Sequence, residues 1–150
     1  MRRLTLCLFL LSLTAVSAQR YTSAIGLRSG SPGVMYLNAK YRANSSAFEL
    51  GIGGGTSSIW AHGNAYYQTE LNNFLDYYYG LGLNVGLGDM NRFLTGSSGI
   101  GLGASGVLGL EHTLEDYPFN FSVDVGPSLY VLPTIKLGLA WSVSARYVLH

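Results

Sequence analysis

The chain has 150 residues, of which 48% are hydrophobic, 11% are charged and 20 are glycine. An average soluble domain carries about 25% charged residues, so this composition excludes a disordered segment, a charge-rich coiled coil and a nucleic-acid binder built on a basic patch. The 4 prolines and the lack of a collagen-type glycine period exclude a fibrous chain, and a net charge of +1 at pH 7 does not point to a charged partner.

The first 18 residues have the composition of a secretory signal peptide. Met1–Arg3 is basic, Leu4–Leu13 is apolar, and Ala15–Ala18 offers the small residues of a cleavage site. The apolar run is about half of the roughly 20 residues that a membrane-spanning helix needs. We therefore expect residues 1–18 to be removed after Ala18 and residues 19–150 to form one domain. Cys7, the 1 cysteine, lies in the signal segment, so we expect no disulfide.

After residue 18 the apolar residues alternate with a period of two, which is typical of β-strands. The clearest case is Tyr77–Gly88, where Tyr, Leu and Val occupy one parity while Gly and Asn occupy most of the other. Short segments rich in Gly, Asn, Ser and Pro separate such stretches and favour hairpin turns, hence an antiparallel meander. The pattern predicts strands at 21–29, 34–43, 47–56, 60–70, 76–88, 97–111, 118–131 and 136–149.

Eight strands with one apolar face predict an all-β fold that closes on itself. No helical pattern remains to cover that face, so a closed antiparallel up-and-down barrel is the simplest solution. The interior of an eight-stranded barrel is just filled by side chains. The other parity is rich in glycine and serine, which suits a narrow interior better than a solvated exterior. We therefore expect the apolar parity to face lipid, as in transmembrane β-barrels of the outer membrane.

The aromatic residues near one end of the predicted strands share the outward parity. Such a belt is typical of the interface between the apolar core of a membrane and water. The predicted belt consists of Tyr21, Tyr41, Phe48, Tyr67, Tyr77, Phe119 and Tyr147.

Three segments resemble a family of small outer-membrane β-barrel proteins from Bacteroidetes. Leu75-Asp-Tyr-Tyr-Tyr-Gly-Leu-Gly-Leu-Asn-Val-Gly86 resembles a recurring strand of that family. Gly106–Pro127 is similar to its Gly-Leu-Glu strand, the turn exit led by proline, the Ser-x-Asp strand and the proline after it. Ala145-Arg146-Tyr147 is similar to its final Arg-Tyr. The resemblance implies the barrel fold and an outer-membrane location, and it implies no established chemistry.

Charged residues on the inward parity predict a network of ion pairs inside the barrel. Charges enclosed in a narrow interior must be paired, since an unpaired one is strongly unfavourable. A tight turn at Ser45-Ser46 predicts that Arg42 lies opposite Glu49, so that these two side chains form an ion pair. The predicted interior cluster consists of Arg28, Lys40, Arg42, Glu49, Glu70, Asp76, Glu111, Asp124, Lys136 and Arg146.

Motifs for catalysis or cofactor binding are weak in this sequence. Gly101–Gly106 satisfies G-x-G-x-x-G, but it lies in a strand pattern with no helix after it to hold a phosphate. His62, His112 and His150 are not spaced as metal ligands, and His62 alone has inward parity in a predicted strand. We therefore expect no cofactor, no metal and no nucleic acid.

Two functional classes remain open. One is a structural or accessory outer-membrane barrel that contacts membrane lipid, is inserted by the barrel-assembly machinery and docks against a larger membrane complex. The other is an enzyme that acylates or deacylates lipid A with a serine activated by histidine. Adhesion is disfavoured because the predicted loops are short.

Overall fold

The computed structural model describes residues 21–31, 33–55, 57–72, 75–89 and 98–149. The predicted signal peptide and His150 lie outside these ranges. Eight strands follow one another, and each coincides with a predicted strand to within two positions at either end. They are β1 (Ser23–Gly30), β2 (Val34–Ala43), β3 (Ser46–Gly54), β4 (Ser58–Asn72), β5 (Leu75–Asp89), β6 (Ser98–Thr113), β7 (Phe119–Leu132) and β8 (Lys136–Leu149).

The eight strands form a closed barrel in sequence order, which confirms the predicted fold class. Every strand pairs antiparallel with the next one, and β8 pairs antiparallel with β1 to close the wall. We call the end that holds Ser23 and Leu149 the terminal end, and the end with the β1–β2 and β7–β8 turns the opposite end. Among the described residues, no helix is long and apolar enough to cross a membrane.

The wall separates an apolar outside from a polar inside, as the alternating pattern predicts. Large apolar side chains along all eight strands are exposed, including Leu50, Leu81 and Leu83. The residues between them point inward and are buried, and more than half of these buried residues are polar or charged. The Gly101–Gly106 motif is part of β6 and forms barrel wall rather than a phosphate loop.

The β2–β3 turn differs from the prediction, and the predicted pair of Arg42 with Glu49 is wrong. Ala43 pairs with Ser46, so the turn is Asn44–Ser45, and Arg42 lies opposite Ala47. Asn44 has a φ of 54°, in the left-handed region that asparagine tolerates better than most residues. Moving the turn by one residue shifts the pairing by two, so every side chain keeps its predicted face although its partner changes.

The strands differ in length around the barrel. β1, β2 and β3 have 8, 10 and 9 residues, whereas β4 to β8 have 14 to 16. The turn between β1 and β2 therefore lies closer to the terminal end than the longer strands reach. β8 continues past the last residue of β1 towards the opposite end.

The charged interior as candidate functional site

Glu49 on β3 is the centre of an ion network inside the barrel. Its carboxylate accepts hydrogen bonds from Arg28 Nη1 at 3.0 Å and from Arg146 Nη2 at 2.7 Å. His62 Nε2 lies 3.1 Å away, and the Tyr66 hydroxyl donates at 3.5 Å. The Glu49 side chain is only 1% exposed, so its charge depends on these partners rather than on water.

Glu111 on β6 forms a second centre nearer the terminal end. It makes a close ion pair with Lys40, and its other oxygen accepts from the Tyr21 hydroxyl and from Gln68 Nε2, both at 2.6 Å. Arg146 Nη1 lies 3.6 Å from Glu111, so one guanidinium connects both carboxylates. Such charge-assisted hydrogen bonds are roughly twice as strong as neutral ones.

Asp124 on β7 and Asp76 on β5 complete the network. Asp124 accepts from Arg28 Nη2 at 2.9 Å and from the Tyr78 and Ser142 hydroxyls at 2.8 Å. Asp76 pairs closely with Arg42. Among the described residues, four cations and four carboxylates thus meet in the interior, and their ion pairs neutralise one another.

The structure brings together eight of the ten residues of the predicted interior cluster. Seven of them are buried, Arg28, Arg42 and Asp124 included, whereas Asp76 is partly exposed. Glu70 and Lys136 are exposed instead, at the ends of β4 and β8. Both have the predicted inward parity, but β3 stops pairing with β4 at Tyr67 and β1 stops pairing with β8 at Ser142, so one neighbouring strand is missing beside each side chain.

The predicted aromatic belt is partly present at the terminal end. Five members are exposed on the outside, and Phe119 packs against Tyr147 with ring centroids 5.8 Å apart. Tyr77 is half-buried. Tyr79, which the prediction leaves out, is 50% exposed and its ring lies 5.4 Å from that of Tyr67.

Tyr21 contradicts the prediction, because it points inward. It precedes β1, so the alternation of the strand does not fix its direction. The side chain is 3% exposed, packs with Ala24 and Val148, and donates to Glu111. Burial raises the pKa of the Tyr21 hydroxyl, which keeps it a neutral donor.

Aromatic side chains fill the half of the interior near the opposite end, and the sequence analysis missed them. Trp60 and Tyr130 meet edge to face at 6.1 Å, and both pack with Val34 and Tyr36. The signal for this arrangement is in the sequence: these rings have inward parity, and each lies opposite a glycine on at least one adjacent strand. Trp60 lies opposite Gly86.

Of the histidines in the described residues, His62 contacts the carboxylate at the centre of the network. Its ring meets Tyr36 edge to face at 4.6 Å and contacts Glu49. It therefore acts as a fixed member of the ion network, and its described contacts are with Glu49 and Tyr36 rather than with a serine hydroxyl. In the same residues, no group of three or more His, Cys, Asp or Glu side chains is placed to hold a metal ion.

The fold is similar to the crystal structure of Neisserial surface protein A. The two chains are 17% identical, the match covers 85% of this chain and 93% of that one, and the TM-score is 0.50. At this identity the likeness concerns the fold alone. No protein-family model matches the sequence, and a search of curated proteins finds no match either.

Proposed function

We propose that the chain is an integral outer-membrane β-barrel with a structural or accessory role. The observation that carries this proposal is the inversion of polarity across the wall. Side chains such as Leu81, at 73% exposed, and Leu83, at 66%, cover the outside, while paired charges are buried inside. Water does not favour so much apolar surface on a monomer, whereas the hydrocarbon of a bilayer does.

The proposed location includes the steps that lead to the membrane. Residues 1–18 direct secretion and are cleaved, the barrel-assembly machinery inserts the mature chain, and outer-membrane lipid surrounds it. The exposed aromatic rings near the terminal end support insertion in a membrane, since Tyr41, Phe48 and Tyr67 among them form a belt at similar height. Membership of the Bacteroidetes family is part of the same proposal.

A filled interior supports a structural role over transport. The ion network and the aromatic layer occupy the barrel from Asp76 at the terminal end to Tyr130 near the opposite end. An eight-stranded barrel has no room for an aqueous channel in addition to such side chains. The barrel would then act through its outer surface, by docking against a larger membrane complex.

The test is fractionation with gel mobility. Expressed in a Gram-negative host, the protein should be in the outer-membrane fraction and migrate differently before and after boiling, since a closed barrel resists detergent. Recovery as a soluble periplasmic monomer would contradict the proposal. Native co-purification then addresses the role: a stoichiometric membrane partner supports docking, whereas a change in lipid A mass on deletion supports the enzymatic alternative.

A further inference from the structure

The seam between β1 and β8 ends before β8 does. Its pairs run from Ser23↔Leu149 to Gly30↔Ser142, and beyond them Ser31 N–H donates to the Trp141 carbonyl at 2.8 Å. The strand β8 continues to Lys136, where it pairs with β7. No described residue pairs with Leu137–Ala140 on the β1 side. β8 therefore has a short open edge at these residues, between the β1–β2 turn and the opposite end of the barrel.

The alternation of an antiparallel strand identifies the backbone groups at this edge. Each residue directs both its N–H and its C=O to one side of the strand, and the next residue directs both to the other side. Trp141 bonds to Ser31 on the β1 side, whereas the N–H of Val148 donates to the Pro118 carbonyl on the β7 side at 2.8 Å. Odd-numbered residues of β8 therefore face β1. Leu137 and Leu139 direct two donors and two acceptors into the open edge.

At this edge the outward side chains are large and apolar, whereas the inward position between them is a glycine. Leu137 is 77% and Leu139 is 69% exposed, which places them among the most exposed apolar residues of the barrel. Gly138 between them has inward parity and no side chain. An additional strand beside β8 would meet apolar side chains on its outward face, and on its inward face it would meet no β8 side chain at Gly138.

If the barrel is inserted as proposed above, Leu139 lies within the apolar part of the membrane, and Leu137 lies near its boundary. Leu139 precedes Tyr147 of the aromatic belt by eight positions of β8. A rise of about 3.3 Å per residue and a tilt of about 40° place it roughly 20 Å above that belt, within the apolar band of about 25 Å. Open sheet edges are not found facing hydrocarbon, because their backbone groups have no water to bind.

We propose that this edge is an interaction surface for an extended segment of another polypeptide, which adds to β8 as an extra strand. The inference rests on the proposed membrane insertion. The fitting segment offers backbone groups opposite Leu137 and Leu139, apolar side chains facing lipid, and a small residue opposite Gly138. A second copy of this chain cannot add its β8 edge in antiparallel pairing, because that would invert one barrel in the membrane.

The test uses the protein folded in phosphatidylcholine vesicles and a labelled, end-blocked heptapeptide of alternating valine and glycine. Leu139→Pro removes one donor from the edge, and proline is tolerated at an open edge. Leu139→Ala is the matched control, because it trims the side chain and keeps the N–H. We expect the peptide to bind the wild type, to bind Leu139→Pro roughly tenfold more weakly, and to bind Leu139→Ala within about threefold of the wild type.

Heat-modifiable gel mobility is measured first and shows whether each variant forms a barrel. Absence of the barrel in the wild type would contradict the proposed function, whereas a barrel that does not bind the peptide as expected would contradict only this inference. With the barrel formed, equal binding by all three proteins indicates partition into lipid and overturns the inference, as does no binding by the wild type. Ala140→Pro checks the assignment of the edge. Its N–H faces β7, so this variant should lose the heat-modifiable form, and a stable barrel with Ala140→Pro would show that the edge is assigned wrongly.

Discussion

The two halves of the barrel interior are filled in different ways. Towards the terminal end, carboxylates such as Glu49 and Glu111 each bind several cations and hydroxyls at fixed distances. Towards the opposite end, rings such as Trp60 and Tyr130 lie over glycines of the neighbouring strands. Both halves continue the same alternating pattern. The same barrel wall can therefore enclose either paired charges with fixed hydrogen-bond geometry or aromatic rings packed against glycines.

This difference predicts different weaknesses. In the charged half, removal of one partner leaves the other buried and uncompensated. In the aromatic half, the critical quantity is volume, because an added methyl group has no space.

Glu49→Gln should have the largest effect. It leaves Arg28 and Arg146 without their shared carboxylate, and breaking a buried pair costs about 3–5 kcal/mol. The measurement is the free energy of unfolding in vesicles by urea titration. Glu115→Gln is the matched control, because Glu115 is exposed in the turn before β7. A similar small loss in both variants would show that the network does not stabilise the barrel.

A double-mutant cycle should distinguish the true partner of Glu49 from the one expected from sequence. Arg146→Met combined with Glu49→Gln should give a coupling energy near the upper end of about 0.5–3 kcal/mol, since the two groups are 2.7 Å apart. Arg42→Met with the same Glu49 variant should give a clearly smaller value, because Arg42 pairs with Asp76. The reverse order of the two couplings would restore the register that the structure contradicts.

Gly86→Ala should destabilise the aromatic half. A methyl group there would lie 2.6 Å from two carbons of the Trp60 indole, and overpacking of this kind costs about 1–3 kcal/mol. Gly55→Ala is the control, because nothing lies within 4 Å of its added carbon. Combining Gly86→Ala with Trp60→Phe should recover part of the loss in the unfolding titration. No recovery would argue against a clash with the ring.

Tyr21→Phe should have the smallest effect. It removes one donor to Glu111, while Lys40 and Arg146 remain, so we expect a loss of about 1 kcal/mol. Tyr117→Phe provides the comparison, since Tyr117 is 64% exposed in a turn. If both variants unfold at the same urea concentration as the wild type, Tyr21 does not belong to the network in energetic terms.

The sequence predicts the barrel well, because its alternation is strict over long strands. The eight strands, their order and the face of each side chain follow from period two and short turns. The alternating pattern does not predict which of the interior charges pair with one another. Glu49 is 97 positions from Arg146 along the chain, and their contact depends on the tilt and stagger of strands on opposite sides of the barrel.

Local chemistry explains the remaining differences. Asn44 tolerates a positive φ and moves the β2–β3 turn by one residue, which changes the partner of Arg42. Tyr21 lies outside the strand ladder, so parity gives no information about its direction. The inward aromatic rings could have been found from the sequence by asking which inward positions face glycine. Trp60 and Gly86 are an example.

The central claim is that lipid faces the Leu83 side of the wall and that the other side is filled. Leu83 and Asn84 are neighbours on β5 and point to opposite faces, with Asn84 Nδ2 lying 3.5 Å from Ser105 Oγ. Spin labels on Leu83→Cys and Asn84→Cys, in the chain without Cys7, can be compared in vesicles by their collisions with oxygen and with a water-soluble nickel reagent. We expect the Leu83 label to collide strongly with oxygen and weakly with nickel, and the Asn84 label to collide weakly with both. Strong oxygen collisions at Asn84 together with weak ones at Leu83 would contradict the account.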